Sequence, residues 1–283
     1  MATLTALTLY PIKSCGGISV QQATLQETGL AVGAIGDREW MLVDHAGQFL
    51  TQRELPAMAT LRPVISALGL HVHAPGCPPL QIDLNMPPAG RAQLLAVGIW
   101  KDRLDAIDCG EAAARWFSTA LSNPCRLVRF ASGARRLADA AWSNGQQVPT
   151  LFSDGFPILV ISEASLADLN RRLLQQARPA LPMARFRPNI VLGGVDEFEE
   201  DFAATLDFGQ AVLKPTKPCP RCAIPSVDQQ SGRVGPDPLD ILQTYRAMDR
   251  IGGGIAFGIN AIVQSGAGAS LRVGQEVGIE LAF

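Results

Sequence analysis

Apolar and polar positions alternate along most of the first hundred residues. Residues 3–10 read Thr-Leu-Thr-Ala-Leu-Thr-Leu-Tyr, residues 40–43 form a short apolar run, and residues 69–73 and 80–84 alternate again. A period of two sends successive side chains to opposite faces, so the alternating stretches predict strands with one buried side, and the apolar run predicts a short strand. Residues 94–99 and 104–107 predict two more, on either side of Lys101-Asp102-Arg103. Gly16-Gly17, Gly76 with Pro78-Pro79, and Pro87-Pro88-Ala89-Gly90 punctuate the series at spacings that suit a barrel or a sandwich.

The period then lengthens. Ala113, Trp116, Phe117, Ala120 and Leu121 fall on one face of a helix that stops before Asn123-Pro124. Ser162 is placed to cap a second helix carrying Leu166, Leu169 and Leu173, just after an apolar strand at 158–161. A third helix starts at Pro238 and runs through Leu239, Leu242 and Tyr245. Further strands are expected at 190–192, 211–214 and 256–263, and at 271–281 with breaks at Gly274 and Gly278. Residues 131–150, with Gly133 and Arg135-Arg136, read as an irregular connection between two halves. The pattern predicts an α+β protein dominated by antiparallel sheet.

Composition narrows the function classes. Of 283 residues 47% are hydrophobic and 18% charged, enough apolar material for a large core. A net charge of -2 argues against a general nucleic-acid binder, which needs a concentrated positive field. Lysine is confined to Lys13, Lys101, Lys214 and Lys217; the other cations are arginines, a skew that genomic base composition produces and that also suits bidentate phosphate contacts. No charged leader precedes Lys13, and no run nears the ~20 apolar residues that cross a bilayer. The expectation is a cytoplasmic protein that makes no membrane contact. Its cysteines (Cys15, Cys77, Cys109, Cys125, Cys219 and Cys222) are scattered like reduced thiols rather than a disulfide framework.

Only Cys219 and Cys222 are closely spaced, in Lys217-Pro218-Cys219-Pro220-Arg221-Cys222. Four readings follow. Structural zinc needs a second ligand pair, but Cys109 and Cys125 are far apart and His45, His71 and His73 lie early. A thioredoxin-like dithiol belongs at a helix N-terminus near the start of a βαβ unit, whereas this pair follows a late strand. The pair is otherwise two ordinary buried cysteines, or one thiolate that holds a soft metal centre. Arg221 beside the pair favours a thiolate or an anion. Elsewhere, Lys13-Ser14 before Gly16-Gly17, Arg38 at the entrance to an apolar strand, and Arg187 with Asn189 before another each offer donors to an anion. Singly these are bland; with Cys222 they suggest a phosphate-bearing cofactor whose metal is capped by a thiolate.

In order, the strings LYPIKSCGG, GDREWMLVD, TQREL, SEASLADLN, RFRPNIVLGG, KPCPRCAIPSVD and FGINAIV resemble the MOSC (molybdenum cofactor sulfurase C-terminal) superfamily with its N-terminal β-barrel extension. Nearly the whole chain is covered, and the resemblance is greatest to amidoxime-reducing components and bacterial reductases of N-hydroxylated compounds. It implies an antiparallel β-barrel MOSC core at 123–283 and a β-rich extension domain at 1–122, with a few helices. It implies a molybdenum cofactor of the molybdopterin type, with Cys222 as metal ligand and catalytic centre and Cys219 a neighbour. The matching cofactor-binding positions are Lys13, Ser14, Arg38, Asp154, Arg187 and Asn189, with Arg221 and Asn260 beside them. In the loop Ser153-Asp154-Gly155-Phe156-Pro157, Gly155 and Phe156 depart from small hydroxylated residues of the mitochondrial pattern. Pyridoxal phosphate binding is implied only as a label of the superfamily.

The implied reaction is two-electron reduction of small N-hydroxylated substrates, with Asp154, Asp228 or water as proton source. The cysteines lack the C-x4-C-x2-C spacing of a plant-type [2Fe–2S] domain. Electrons are therefore expected from a separate ferredoxin- or cytochrome-type protein. A cofactor carrier or sulfur-transfer protein without turnover is the alternative.

Overall fold

The computed structural model describes residues 1–85, 93–235 and 238–282. The turn expected at Pro87-Pro88-Ala89-Gly90 lies outside the described residues. Strands dominate, as the period-two pattern requires, and seven of them close into a barrel. Around it run Ile158–Ser162, Ile190–Gly193, Ala2–Leu9, Glu276–Leu281, Ala203–Asp207, Val212–Pro220 and Gly254–Ser265, which returns to Ile158–Ser162. All neighbours are antiparallel except Ile158–Ser162 with Ile190–Gly193.

The N-terminal strand is thus a stave of a barrel built otherwise from the second half. Pairing crosses the chain elsewhere too. Ser270–Arg272 joins Gln22–Gln26, and Arg126–Phe130 lies between Asp102–Asp108 and Trp40–Val43. One continuous apolar cluster takes in Leu4 and Leu7 from the barrel along with Leu25, Trp40, Leu70 and Phe117 outside it. Burial of that cluster is the main force holding the sheets together.

The helices follow their sequence signals. Helix α1 (Gly110–Leu121) buries Ala113, Phe117 and Leu121 and ends at Ser122, whose left-handed backbone (φ 49°) lets its N–H reach back to Ser118. Helix α2 (Glu163–Gln175) is capped by Ser162, whose Oγ accepts from the Ser165 N–H at 3.0 Å. Helix α3 (Leu239–Arg246) packs Ile241 and Leu242 against Phe257 and Leu169.

Three strand expectations need correction. Gly278 does not break the last strand; it lies inside Glu276–Leu281 opposite Asp207, and the turn is at Gly274, where φ is 90°. The strand expected at 80–84 runs over Cys77–Ile82 because Pro78 and Pro79 sit on the edge of a three-stranded sheet, where a missing N–H is tolerated. The strand expected at 211–214 continues through three prolines to Pro220, and its register with Gly254–Ser265 slips at 215–218 and again at 218–220. Those bulges absorb the missing donors. Opposite them Gly258 has φ 81°, and a Cβ there would lie 2.6 Å from Ile161.

Candidate active site at one rim of the barrel

Five stretches of chain meet at one end of the barrel. Tyr10–Ser14 leaves the first strand, Arg187–Asn189 and Ser153–Pro157 lead into two others, Cys219–Cys222 ends a fourth, and Asn260 lies on a fifth. The registers bring these ends together, since Leu7 pairs with Ile190, Val160 with Ile190, and Pro218 with Ile259. Arg38 enters from the neighbouring sheet, where its N–H donates to Tyr10 O at 2.7 Å. All eight sequence-predicted cofactor residues, with Cys222, line the resulting cleft.

Their roles differ. Lys13 is buried, and its Nζ donates to Phe152 O at 3.0 Å and to Asp154 Oδ1, which leaves one N–H for a ligand. Arg38 pairs with buried Asp37 and donates to Asn189 Oδ1 at 2.9 Å. Asn189 Oδ1 also accepts from the Leu159 N–H and its Nδ2 donates to Thr8 O at 3.2 Å, so this side chain braces the rim. Arg187 is buried, and its guanidinium and that of Arg38 both stack on the Tyr10 ring, 4.3 and 4.4 Å from its centroid. Asn260 Nδ2 donates to Lys217 O at 3.0 Å. Arg221 donates to Phe186 O at 2.9 Å and to Cys219 Sγ at 3.2 Å, so this cation addresses the first cysteine of the pair. Cys222 itself is exposed.

The electrostatics favour an anion. Burial presses the Lys13 ammonium below its ordinary pKa, and the charge of Asp154 works against that. Desolvation in the cleft acts to raise the Asp154 carboxyl, but the charge and hydrogen bond of Lys13 outweigh it and hold that carboxyl below the carboxylate range. Hydrogen bonds from Ser231 likewise hold Asp228 low; its carboxylate pairs with Arg185 outside the cleft lining. Both expected proton sources are therefore ionised at neutral pH. Burial lowers Arg187, and the neighbouring Arg38 adds to the effect.

Two observations set this cleft apart. Ser153 Oγ and Arg221 Nε are buried without a hydrogen-bond partner, and both residues line it. Ser14, Arg38 and Arg187 also hold left-handed backbones, with φ of 64°, 49° and 57°, a conformation that costs non-glycine residues ~1–2 kcal/mol each. Larger clefts of about 550 and 790 Å³ lie elsewhere against about 110 Å³ here; orphaned donors and clustered cations single this one out, not size. A cofactor would fill it and extend through its open side. Among the described residues no three His, Cys, Asp or Glu side chains converge to hold a bare ion, so a metal here would bring ligands of its own. An anionic cofactor whose metal takes one thiolate fits this donor set.

Sequence reasoning missed several neighbours. Ser153 carried no signal beyond its place in a loop. Trp100, at φ 54° and half-exposed, donates its Nε1–H to Asp154 at 3.3 Å. Arg136 is buried in the irregular segment; its Nη1 donates to Leu151 O at 3.0 Å and to Ser153 O, its Nη2 to Asp154 O at 3.1 Å, and its Nε to Asp102 at 2.7 Å. Phe156, where the mitochondrial pattern has a small hydroxylated residue, packs with Ala138, Val148 and Ile262.

Residues 1–124 match the MOSC N-terminal beta barrel domain and residues 147–278 the MOSC domain. The chain is 34% identical over 258 residues to mitochondrial amidoxime reducing component 2 of Rattus norvegicus, covering 88% of this chain and 74% of that protein. It is 33% identical over 257 residues to mitochondrial amidoxime-reducing component 1 of Homo sapiens, covering 88% and 73%. A match of 33% identity to the molybdenum cofactor sulfurase of Oryza sativa subsp. japonica spans 97% of this chain and 35% of that protein. Among the described residues no helix is long and apolar enough to cross a membrane. The chain belongs to the MOSC family, joining an N-terminal MOSC barrel domain to a MOSC domain as a relative of the mitochondrial amidoxime-reducing components.

Proposed function

We propose that this protein is a molybdenum cofactor-dependent oxidoreductase that reduces N-hydroxylated compounds, taking electrons from a separate redox protein. The observation that carries the reading is the meeting of Lys13, Arg38 and Arg187 with one exposed thiol, Cys222, in a single cleft. When bound, the pterin-held molybdenum supplies the redox chemistry, in which R–NH–OH plus two electrons and two protons gives R–NH2 plus water. Cys222 is the protein's ligand to that metal. Lys13, Ser14, Arg38 and Arg187 hold the anionic part of the cofactor, with the orphaned donors of Ser153 and Arg221 beside them. Asn189 and Asn260 brace the rim, and Asp154 orients Lys13. Asp154 and Asp228 are held ionised, so a proton that either passes on is drawn first from water.

The relationship to the rice sulfurase supports a second reading, a cofactor carrier or sulfur-transfer protein without turnover. Metal analysis with pterin fluorescence on protein from a cofactor-sufficient host tests both. Wild type and Cys219→Ser are expected to retain molybdenum and Cys222→Ser to lose it. Molybdenum far below stoichiometric in wild type sinks both readings. Reduction of an amidoxime by chemically reduced protein then separates reductase from carrier.

A further inference from the structure

Gln52 belongs to a string with no function so far, and Gln229 follows the cysteine segment by several residues. Both are buried, at 0% and 7% exposure. Their amides face each other: Gln52 Nε2 donates to Gln229 Oε1 at 3.1 Å, and Gln229 Nε2 donates to Gln52 Oε1 at 2.8 Å. The remaining capacity reaches outward. Gln52 Nε2 also donates to Ser14 O at 2.7 Å, Gln229 Nε2 to Val227 O at 3.1 Å, and Gln229 Oε1 accepts from Arg187 Nη1 at 3.2 Å. Every N–H is used, and turning the Gln229 amide over would set its N–H groups against the Arg187 guanidinium, so the network has one orientation.

We propose that the Gln52–Gln229 pair is a clamp that fixes the Lys13-Ser14 turn and Arg187 at the spacing an anionic cofactor requires, while leaving the charge of Arg187 for that cofactor to use. It joins two of the three cleft-wall residues whose left-handed backbones need support from their surroundings, Ser14 and Arg187. The chemistry at position 229 is what makes it a cofactor device. A carboxylate would hold Arg187 more tightly but neutralise it; the neutral amide holds it and does not. Among the described residues no carboxylate forms a salt bridge with Arg187. Gln52 and Gln229 are positioning residues, and the inference rests on the cofactor-binding reading above.

The test uses the full-length chain with three readouts: thermal midpoint, inorganic phosphate binding to cofactor-free protein by calorimetry, and molybdenum retained through purification. Gln52→Leu or Gln229→Leu alone strands a buried amide and lowers the midpoint. The double variant removes both facing amides but leaves Ser14 O, Val227 O and Arg187 Nη1 without them, so it is expected to regain part of that midpoint, yet to bind phosphate about 10–100-fold more weakly and to shed molybdenum. Gln229→Glu loses the N–H donors to Gln52 Oε1 and Val227 O, so its midpoint falls as in Gln229→Leu, and it is expected to bind phosphate more weakly than Gln229→Leu because Arg187 is then neutralised. A merely structural pair predicts that binding and retention follow the midpoint in every variant, recovering with it in the double variant and no weaker in Gln229→Glu than in Gln229→Leu; that result overturns the clamp. Wild type that binds phosphate but carries no molybdenum defeats the cofactor reading and leaves the clamp to be decided by phosphate. Wild type that binds neither overturns both.

Discussion

Replacing Arg136 with methionine removes the fixture that sets the loop carrying Ser153 and Asp154. The guanidinium donates to Thr150 Oγ1 at 3.3 Å, to Leu151, Ser153 and Asp154 carbonyls, and to Asp102. Bonds to a charged donor are worth ~1.5–3 kcal/mol each, which taken naively over five contacts sums to far more than a marginally stable fold can lose. They share one side chain and are not additive, the one to Thr150 is long, and Asp102 is 32% exposed and rehydrates. The carbonyls of Leu151, Ser153 and Asp154 left without their donor carry the cost, and at ~1–3 kcal/mol for an unsatisfied buried group they come together to ~3–5 kcal/mol. At ~2–4 °C per kcal/mol, the thermal midpoint should fall by roughly 6–20 °C. Arg136→Lys keeps the charge but not the fork and should fall between. Differential scanning fluorimetry gives the midpoint, and limited proteolysis should show new cleavage between residues 131 and 157. An Arg136→Met protein that melts within about 2 °C of wild type and resists cleavage there would refute the loop-fixing role.

Glu200 is buried, and desolvation raises its carboxyl pKa although Ser162 N–H and Ser165 Oγ donate to it. The native state therefore binds more protons than the unfolded chain, and stability falls as pH rises above the ordinary carboxylate value of ~4.3 until the native group also ionises. Glu200→Gln should flatten that decline; midpoints measured at pH 5 and pH 8 that keep the wild-type difference would count against it. At Gly258 a methyl group meets Ile161 at 2.6 Å and Val160 O at 2.8 Å on a left-handed backbone, so Gly258→Ala should cost about 2–4 kcal/mol in urea unfolding. Gly252→Ala, at φ 68° with nothing within 4 Å, is the control and should cost only about 1 kcal/mol.

Elements whose cues lie close in sequence were legible before any coordinates. Trp40–Val43 and Leu94–Ile99 stand where their short apolar runs put them, and α1 and α2 end and begin at their expected stop and cap. Gln22–Gln26 is hard to read because only Ala23 and Leu25 mark its buried face in so short a stretch, and Arg62–Ser66 because Pro63 interrupts it and Val64 faces solvent. The prolines of 215–220 hid a strand for a related reason: bulges, invisible in a local window, make it possible. At the site, cationic and thiol positions were found through their motifs. Gln52, Gln229 and Arg136 were not, because their meaning lies in contacts made across 38, 42 and 17 residues of chain.

The left-handed backbone at Ser14 sets two kinds of selection against each other. Glycine adopts that conformation at no steric cost, so a search for heat resistance alone would favour Ser14→Gly. The hydroxyl beside Lys13 would be discarded in the process, without any alarm from the fold. A lineage that keeps serine there is therefore being held by what the cleft binds rather than by what the barrel needs, and sequence drift toward glycine at this one position would mark a descendant released from its ligand.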